Sequence, residues 1–276
     1  MKVNDLNFII TIDSDCDLSM SACKKYDIIP LQTNYIIDYK TVKSPGEKAE
    51  YQMYYKKIRK GAQVLNEEAN VYTYMSLWHQ LLSLNKPIIH ICSSFRKQNY
   101  QSAMLAKETI SEQFPNVKIN VADSQNLSLG CGVLAIYASS LRKQEKSFDE
   151  VLNWIEEYKL SINGIFASES CDKKPLKKKS VIKQIINLNL QEVSKTYSCL
   201  NQDNLISNEI NNNIINPQEQ ILFICSNDDK KAQIQGEYIK KEFGFKDVFY
   251  SEMNPSLASK LCPNTIALFY FGKKRA

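Results

Sequence analysis

Two neighbouring serines, Ser93 and Ser94, end a short apolar run that begins after Pro87. A continuous apolar run of this length is typical of a strand buried on both faces. Tyr100 and Ile110 lie beyond a polar loop at helical spacing, so the segment predicts a strand–loop–helix unit. In open α/β sheets such a loop binds ligands, and serine hydroxyls beside a helix start can hold a phosphate or carboxylate. Serines in this place also commonly do no more than end a strand and cap a helix.

Aspartate–serine pairs follow two other predicted strands, one near residue 13 and one near residue 123. An aspartate in such a turn more often bonds nearby backbone N–H groups than takes part in chemistry. Two glycines at the start of the helix after the second pair allow close packing against another backbone, and Ser128 can cap that helix. We assign a loop-structuring role to Asp13, Ser14, Asp123, Ser124, Gly130 and Gly132.

Four segments resemble, in the right order, the DegV family of bacterial fatty acid-binding proteins. The similarity covers residues 8–142 and is loose in the C-terminal half. The segments are residues 10–18, 26–31, 93–103 and 121–132. The resemblance implies a two-domain α/β fold, with an N-terminal Rossmann-like parallel sheet, helices on both of its faces, and a C-terminal α/β domain. It also implies a non-catalytic protein that holds a long-chain fatty acid between its domains and presents the carboxylate to a fatty acid kinase.

The resemblance further implies which residues hold the carboxylate. The family's Thr-Ser-Gln motif corresponds to residues 66–68, which are Asn-Glu-Glu here, and its Leu-Ser-Gly-Thr corresponds to residues 96–99, Arg-Lys-Gln-Asn. The family's histidine near the C-terminus corresponds to a lysine. The predicted carboxylate ligands are therefore Ser93, Ser94, Asn66 and Lys260. Two glutamates near a carboxylate would repel it, whereas the added arginine and lysine would attract it.

Length and composition are those of an ordinary globular chain. At 276 residues, 43% hydrophobic and 24% charged, the chain predicts two domains, which we place at residues 1–161 and 162–276. The formal net charge of +5 suits anionic ligands without requiring them. The start of the chain lacks the apolar stretch of a secretion signal, and no run reaches the ~18 apolar residues of a membrane span. We expect a cytoplasmic protein.

Enzyme, metal and cofactor patterns are absent from the sequence. The eight cysteines form no Cys-x-x-Cys pair, and only His79 and His90 accompany them, so we predict neither a metal site nor a cofactor other than the bound acid. No nucleophile elbow, phosphate loop or dinucleotide turn occurs, and His90 lies inside an apolar strand, where a core histidine is expected. The alternatives are a protein that binds another small anionic ligand and an enzyme that acts on a small molecule.

The most basic stretch is residues 173–179. Such a run is usually a solvated loop, and next most often a site for acidic partners or for transient contact with a membrane surface. Because no aromatic side chains interleave it, we do not expect nucleic-acid binding, which is the third alternative.

Overall fold

The computed structural model describes residues 6–93, 97–168, 195–198, 202–261 and 264–275. The chain forms two compact units. The first comprises residues 1–35, 41–47 and 66–159, and the second comprises residues 36–40, 48–65 and 160–276. The sequence-based division at 161/162 treats each domain as one continuous segment. It differs from this arrangement because two short N-terminal segments belong to the second unit.

Strands and helices alternate along most of the chain, as the apolar runs and amphipathic stretches predict. The strands are β1 Ile9–Ile12, β2 Ile28–Pro30, β3 Thr33–Ile37, β4 Lys40–Ser44, β5 Val64–Asn66, β6 Ile88–Cys92, β7 Ile119–Asp123, β8 Ile162–Ser168, β9 Lys195–Ser198, β10 Ile221–Ser226, β11 Asp247–Glu252 and β12 Ile266–Phe271. The helices are α1 Met20–Lys25, α2 Lys48–Arg59, α3 Val71–Leu82, α4 Lys97–Gln113, α5 Leu129–Lys143, α6 Phe148–Tyr158, α7 Gln202–Asn213, α8 Asp229–Phe243 and α9 Pro255–Lys260.

The first unit contains a parallel sheet of order β2-β1-β6-β7. Strand β6 is buried along its whole length, as a parallel strand covered on both faces should be. Its alternate residues point to opposite faces, so Ile88 packs in one cluster with Trp78 of α3 and Ala103 of α4. On the other side Cys131 of α5 lies 3.8 Å from the carbonyl oxygen of Ile91. The predicted Rossmann-like sheet with helices on both faces is confirmed.

The second unit contains a mixed sheet of order β11-β10-β12-β8-β9. Strand β12 is antiparallel to both β10 and β8, whereas β11 and β9 pair in parallel with their neighbours. Leu222, Leu268 and Ile165 of this sheet share a buried cluster with Ile239 of α8. The predicted C-terminal α/β domain is confirmed. A third sheet has the order β4-β3-β5, where the sequence predicted only an extended segment over residues 32–44.

Local signals mark several helix ends correctly. Ser19 accepts a hydrogen bond from the N–H of Ala22 at 3.1 Å, and Ser147 forms the predicted capping box with Glu150. Gly244 ends α8 in the left-handed region at φ 75°. The helices in the described part of the chain are too short or too polar to cross a membrane. The basic run at residues 173–179 lies outside the described residues.

Candidate ligand-binding site

Three of the polar residues singled out in the sequence, Asp13, Ser93 and Ser124, lie at one edge of the parallel sheet. Strand β1 pairs with β6, and β6 pairs with β7, all in parallel. Their carboxyl ends therefore share an edge, and Asp13, Ser93 and Ser124 each follow one of these strands directly. This is the edge at which open α/β sheets bind ligands.

Asp13 ties the ends of β1 and β6 together. Its side chain is buried, and Oδ2 accepts a hydrogen bond from the N–H of Ser93 at 2.9 Å. Oδ1 accepts from the Tyr74 hydroxyl at 2.8 Å and lies 3.2 Å from Nε2 of His90. Burial and the Asp13 charge raise the pKa of Tyr74 well above its usual value, so this phenol remains a donor. Both oxygens of Asp13 are thus engaged in holding the loop.

His90 completes this network from inside the sheet. Because a carboxylate can only accept, Nε2 donates to Asp13, and Nδ1 lies 2.8 Å from the Thr11 hydroxyl oxygen. The ring stands edge-on to Tyr74 and Trp78, at centroid distances of 5.2 and 5.5 Å. The predicted role as a hydrogen-bonded core histidine agrees with these contacts.

Asp13, His90 and Cys92 also form a cluster whose candidate ligand atoms lie within 4.8 Å of one another. Burial, reinforced by the charge of Asp13, raises the pKa of the Cys92 thiol well above its usual value. Both nitrogens of His90 and both oxygens of Asp13 already have hydrogen-bond partners. In this structure Asp13 and His90 take part in the hydrogen-bond network of the core.

The loop after β7 is held by its own backbone. Asp123 accepts from the N–H of Gln125 at 3.1 Å, and the Ser124 hydroxyl oxygen accepts from the N–H of Asn126 at 3.1 Å. The Ser124 N–H also donates to the carbonyl of Cys92 at 3.2 Å, which joins this loop to the end of β6. These contacts are the local turn bonds expected of an Asp-Ser pair.

The start of α5 lies against the turn that follows β1. A Cβ placed on Gly132 would stand 2.6 Å from the carbonyl oxygen of Cys16, so only glycine allows this approach. The N–H of Gly130 donates to the carbonyl of Leu127 at 3.1 Å. The prediction that the Ser128 side chain caps α5 was wrong, because its hydroxyl donates to Asp17 instead and its φ is 55°.

A narrow, partly open hollow, too tight in this structure to hold a water molecule, lies beside Asp13. Its walls come from the loop after β1, the residue after β2, strand β3, the end of β5 with the segment that follows it, and the first turn of α4. The lining residues are Asp13, Ser14, Asp15, Leu31, Thr33, Asn66, Glu67, Ala69 and Asn99. All nine belong to the first unit.

Two amide oxygens in this hollow have no partner. Asn66 Oδ1 and Asn99 Oδ1 are both buried, and neither has a hydrogen-bond partner within the described part of the chain. The Asn99 residue is only 4% exposed. An unsatisfied buried polar atom costs about 1–3 kcal/mol, and two such atoms on residues that line one hollow make it the candidate site.

The other polar side chains that line the hollow already form hydrogen bonds with neighbouring side chains. The Ser14 and Thr33 hydroxyls lie 2.7 Å apart, and the Tyr35 hydroxyl donates to Asp15 at 3.2 Å. Glu67 accepts from the side-chain amide of Asn34 at 2.6 Å. The charged side chains among the described residues that line the hollow are Asp13, Asp15 and Glu67.

The structure does not place all four predicted carboxylate ligands at this hollow. Asn66 lines the hollow, while Ser93 is fully buried beside it and donates its N–H to Asp13. Ser94 lies outside the described residues, as do Arg96 and the side chain of Lys97. Lys260 is the last residue of α9 in the second unit, with an exposed side chain, and its role at a head group stays a prediction.

Sequence reasoning missed Asn99 as a site residue. The signal was present, because residues 66 and 99 both stand where the resembling family has a threonine. Their placement on one hollow, 33 positions apart in sequence, required the fold. The fold and this hollow define the class of the protein: a two-unit α/β protein with a polar cup at the carboxyl edge of a parallel sheet.

Comparison with known proteins places this class in a family. The model described as "Uncharacterised protein, DegV family" matches residues 7–174, and the chain belongs to the DegV family. A DegV domain-containing protein of Clostridium perfringens is 26% identical over 289 residues, which cover 96% of this chain and 97% of the relative.

Solved structures show the same fold over nearly the full length. DegV of Bacillus subtilis, described as a fatty acid binding protein, matches with a TM-score of 0.74 at 14% identity and covers 97% of this chain and 100% of its own. The fatty acid kinase B3 protein of Streptococcus pneumoniae, loaded with linoleic acid, matches with a TM-score of 0.71 at 15% identity, with coverage of 97% and 100%.

Proposed function

We propose that this protein is a non-catalytic carrier that binds one long-chain fatty acid and places its head group in the hollow beside Asp13. The observation that carries the proposal is the pair of amide side chains of Asn66 and Asn99 at that hollow, because their NH₂ groups can donate hydrogen bonds to a carboxylate. Family membership and the fatty acids named for similar structures support the choice of ligand.

Apolar burial supplies the affinity in this proposal. Burying the methylenes of a sixteen-carbon acid at ~0.8 kcal/mol each gives at most about 12 kcal/mol, before the cost of association. The head group then contributes orientation more than affinity, because each hydrogen bond adds only about 0.5–1.5 kcal/mol.

The surroundings of the hollow favour a carrier over a hydrolase. A serine nucleophile needs a base within hydrogen-bond reach. His90 is fully buried, and its two nitrogens are engaged by Thr11 and Asp13. It is therefore not available to take a proton from a serine at the sheet edge. An enzyme acting on a small anionic substrate remains the alternative, and a turnover abolished by Ser94→Ala would support it.

The partner we propose is the catalytic subunit of a fatty acid kinase, as the kinase-associated similar structure suggests. In that reaction the bound carboxylate attacks the γ-phosphorus of ATP, which gives an acyl phosphate and ADP. Loaded protein, a bacterial kinase subunit and ATP should yield an acyl hydroxamate when hydroxylamine is added. A cytoplasmic location, transient membrane-surface contact and the absence of nucleic-acid binding stay predictions.

Direct titration tests the carrier proposal. Delipidated protein is titrated with hexadecanoic acid by calorimetry, and one site per chain is expected. Asn99→Leu should weaken binding about tenfold, because one head-group hydrogen bond is lost. Asn212→Ala, a change at an exposed position of α7, serves as the control and should leave binding unchanged. Well-folded protein that takes up no acid would overturn the proposal.

A further inference from the structure

Two buried cysteines, Cys16 and Cys131, lie side by side between the turn after β1 and helix α5. Their sulfur atoms are 2.8 Å apart, although the two residues are 115 positions apart in sequence. Cys16 is the last residue of the short 3₁₀ turn Ser14–Cys16, and Cys131 lies in the first turn of α5. Both side chains are fully buried, and both are free thiols in this structure. The fold therefore brings together two thiols that lie far apart in the chain.

Contacts on both sides of Cys131 hold the two backbones in this position. The Ser128 hydroxyl donates to Asp17, the residue that follows Cys16. A Cβ placed on Gly132 would stand 2.6 Å from the Cys16 carbonyl oxygen, so the chain packs closely at that residue as well. Because the interior of a protein is close-packed, these contacts keep the two sulfur atoms near each other.

The contact between the thiols adds little to stability by itself. A thiol is a weak donor and a weak acceptor, and a buried free cysteine packs as a small apolar side chain. A disulfide bond is about 2.05 Å long, so the two sulfur atoms need to approach by only about 0.8 Å to be joined. We propose that Cys16 and Cys131 form an oxidation site, at which a reversible disulfide joins the turn after β1 to the start of α5.

Exchange with a small-molecule disulfide such as oxidised glutathione supplies the chemistry. One protein thiolate attacks the S–S bond of the reagent, which gives a mixed disulfide and releases one glutathione thiolate. The other protein thiolate then attacks the protein sulfur of the mixed disulfide and releases the second glutathione thiolate. The two protein thiols lose two electrons and two protons, and oxidised glutathione takes them up to become two glutathione thiols.

Burial affects the rate of this exchange rather than its products. Burial raises the pKa of the Cys16 thiol well above its usual value, and the hydrogen bond with Cys131 raises it further. Since the thiolate is the reactive form, the closed structure reacts slowly, and exchange proceeds when the turn opens locally. We therefore expect oxidation of the folded protein over hours.

Peptide mapping of the oxidised, folded protein tests this pair. The full chain is incubated with oxidised glutathione under native conditions, the remaining thiols are alkylated after unfolding, and tryptic peptides are identified by mass spectrometry. Cys16 lies in tryptic peptide 3–24 together with Cys23, whereas peptide 119–142 contains Cys131 as its one cysteine. The Cys23→Ala variant keeps the proposed pair and makes the assignment unambiguous. We expect a cross-link between these two peptides that dithiothreitol removes.

Urea unfolding gives a second measurement on the same samples. A disulfide that closes a loop of this length restricts the unfolded chain, so the urea midpoint of oxidised Cys23→Ala protein should lie about 1–2 M above that of the reduced protein. The Cys23→Ala, Cys131→Ala double variant should show no such rise after the same treatment. Folded protein in which Cys16 and Cys131 stay unlinked, or are joined only to glutathione or to other cysteines, would overturn this inference.

Discussion

Replacing Asp13 with asparagine should lower the stability of the first unit, although the two side chains have nearly the same shape. The carboxylate accepts from Ser93 N–H through one oxygen and from Tyr74 and His90 through the other. An asparagine has only one oxygen, so its NH₂ group must face donors on one of these sides. At least one buried donor then loses its acceptor.

The size of the effect follows from that count. An unsatisfied buried donor costs about 1–3 kcal/mol, and a charge-assisted bond exceeds a neutral one by about 1 kcal/mol. We therefore expect Asp13→Asn to lower the free energy of unfolding by about 2–4 kcal/mol. With a urea dependence of about 2 kcal/mol per molar, the midpoint falls by about 1–2 M.

Tryptophan fluorescence is the appropriate assay, because both tryptophans of the chain, Trp78 and Trp154, lie in the first unit. Asp149→Asn, at an exposed position, is the control and should cost no more than about 1 kcal/mol. A loss below about 1 kcal/mol for Asp13→Asn would refute the assignment of Asp13 as the tie between β1 and β6.

Three further changes test other parts of the structure. Gly132→Ala should cost about 1–3 kcal/mol, because its Cβ would collide with the Cys16 carbonyl at 2.6 Å, and urea unfolding measures the loss. Ser147→Ala should cost about 1 kcal/mol through the lost cap of α6, which the same assay measures. Glu252→Gln should make the second unit more stable at pH 7 than at pH 4, relative to wild type, and hydrogen exchange of its peptides measures this.

Proton binding by Glu252 is coupled to folding, and this coupling gives the direction of the expected effect. Burial raises the pKa of Glu252 although Lys48 lies 3.4 Å away. The folded state therefore binds more protons than the unfolded state above pH 4, and this site loses stability as the pH rises. The glutamine variant lacks that loss. If Glu252→Gln changed stability equally at both pH values, the pKa of Glu252 would not be raised in the folded state. If Gly132→Ala left the free energy of unfolding unchanged, α5 would not approach the Cys16 carbonyl as closely as described.

The parallel sheet could be predicted because its strands are marked by short local runs of apolar residues. The run from Ile88 to Cys92 is apolar at nearly every position, as a strand buried on both faces requires. The helix caps at Ser19 and Ser147 could also be predicted from the sequence, because a cap depends on residues within one helical turn. The loop-structuring role predicted for Asp13 rests on the local chemistry of an Asp-Ser turn, whereas Ser93, Tyr74 and His90, which contact its side chain, are distant in sequence.

Features that depend on distant parts of the chain were not readable. Tyr74 sits on a helix face that predicts core packing, and nothing in the sequence shows that its hydroxyl meets Asp13. Helix α2 belongs to the second unit because Arg59 donates to the Asn227 carbonyl at 2.8 Å and the Tyr55 hydroxyl donates to the Met253 carbonyl. These partners lie more than 150 positions away, so a division into continuous domains could not include them.

The placement of Asn66 and Asn99 on one hollow could not be predicted from the sequence for the same reason. Each asparagine alone reads as a turn or helix-end residue. Only the pairing of strands and helices brings the two amides to one hollow, where their oxygens lack partners. The chemistry of the pair is therefore a property of the fold rather than of either segment.

Native mass spectrometry of the protein purified from its own cells detects a bound fatty acid by its mass. Most folded chains should carry a single adduct with the mass of a long-chain fatty acid, and extraction with organic solvent should remove it. The Asn66→Leu, Asn99→Leu double variant, if folded by fluorescence, should carry far less of this adduct than Asn212→Ala. Folded wild-type protein without any acyl adduct, or equal adducts on the double variant and the control, would show that the protein is not a fatty-acid carrier with its head-group site at this hollow.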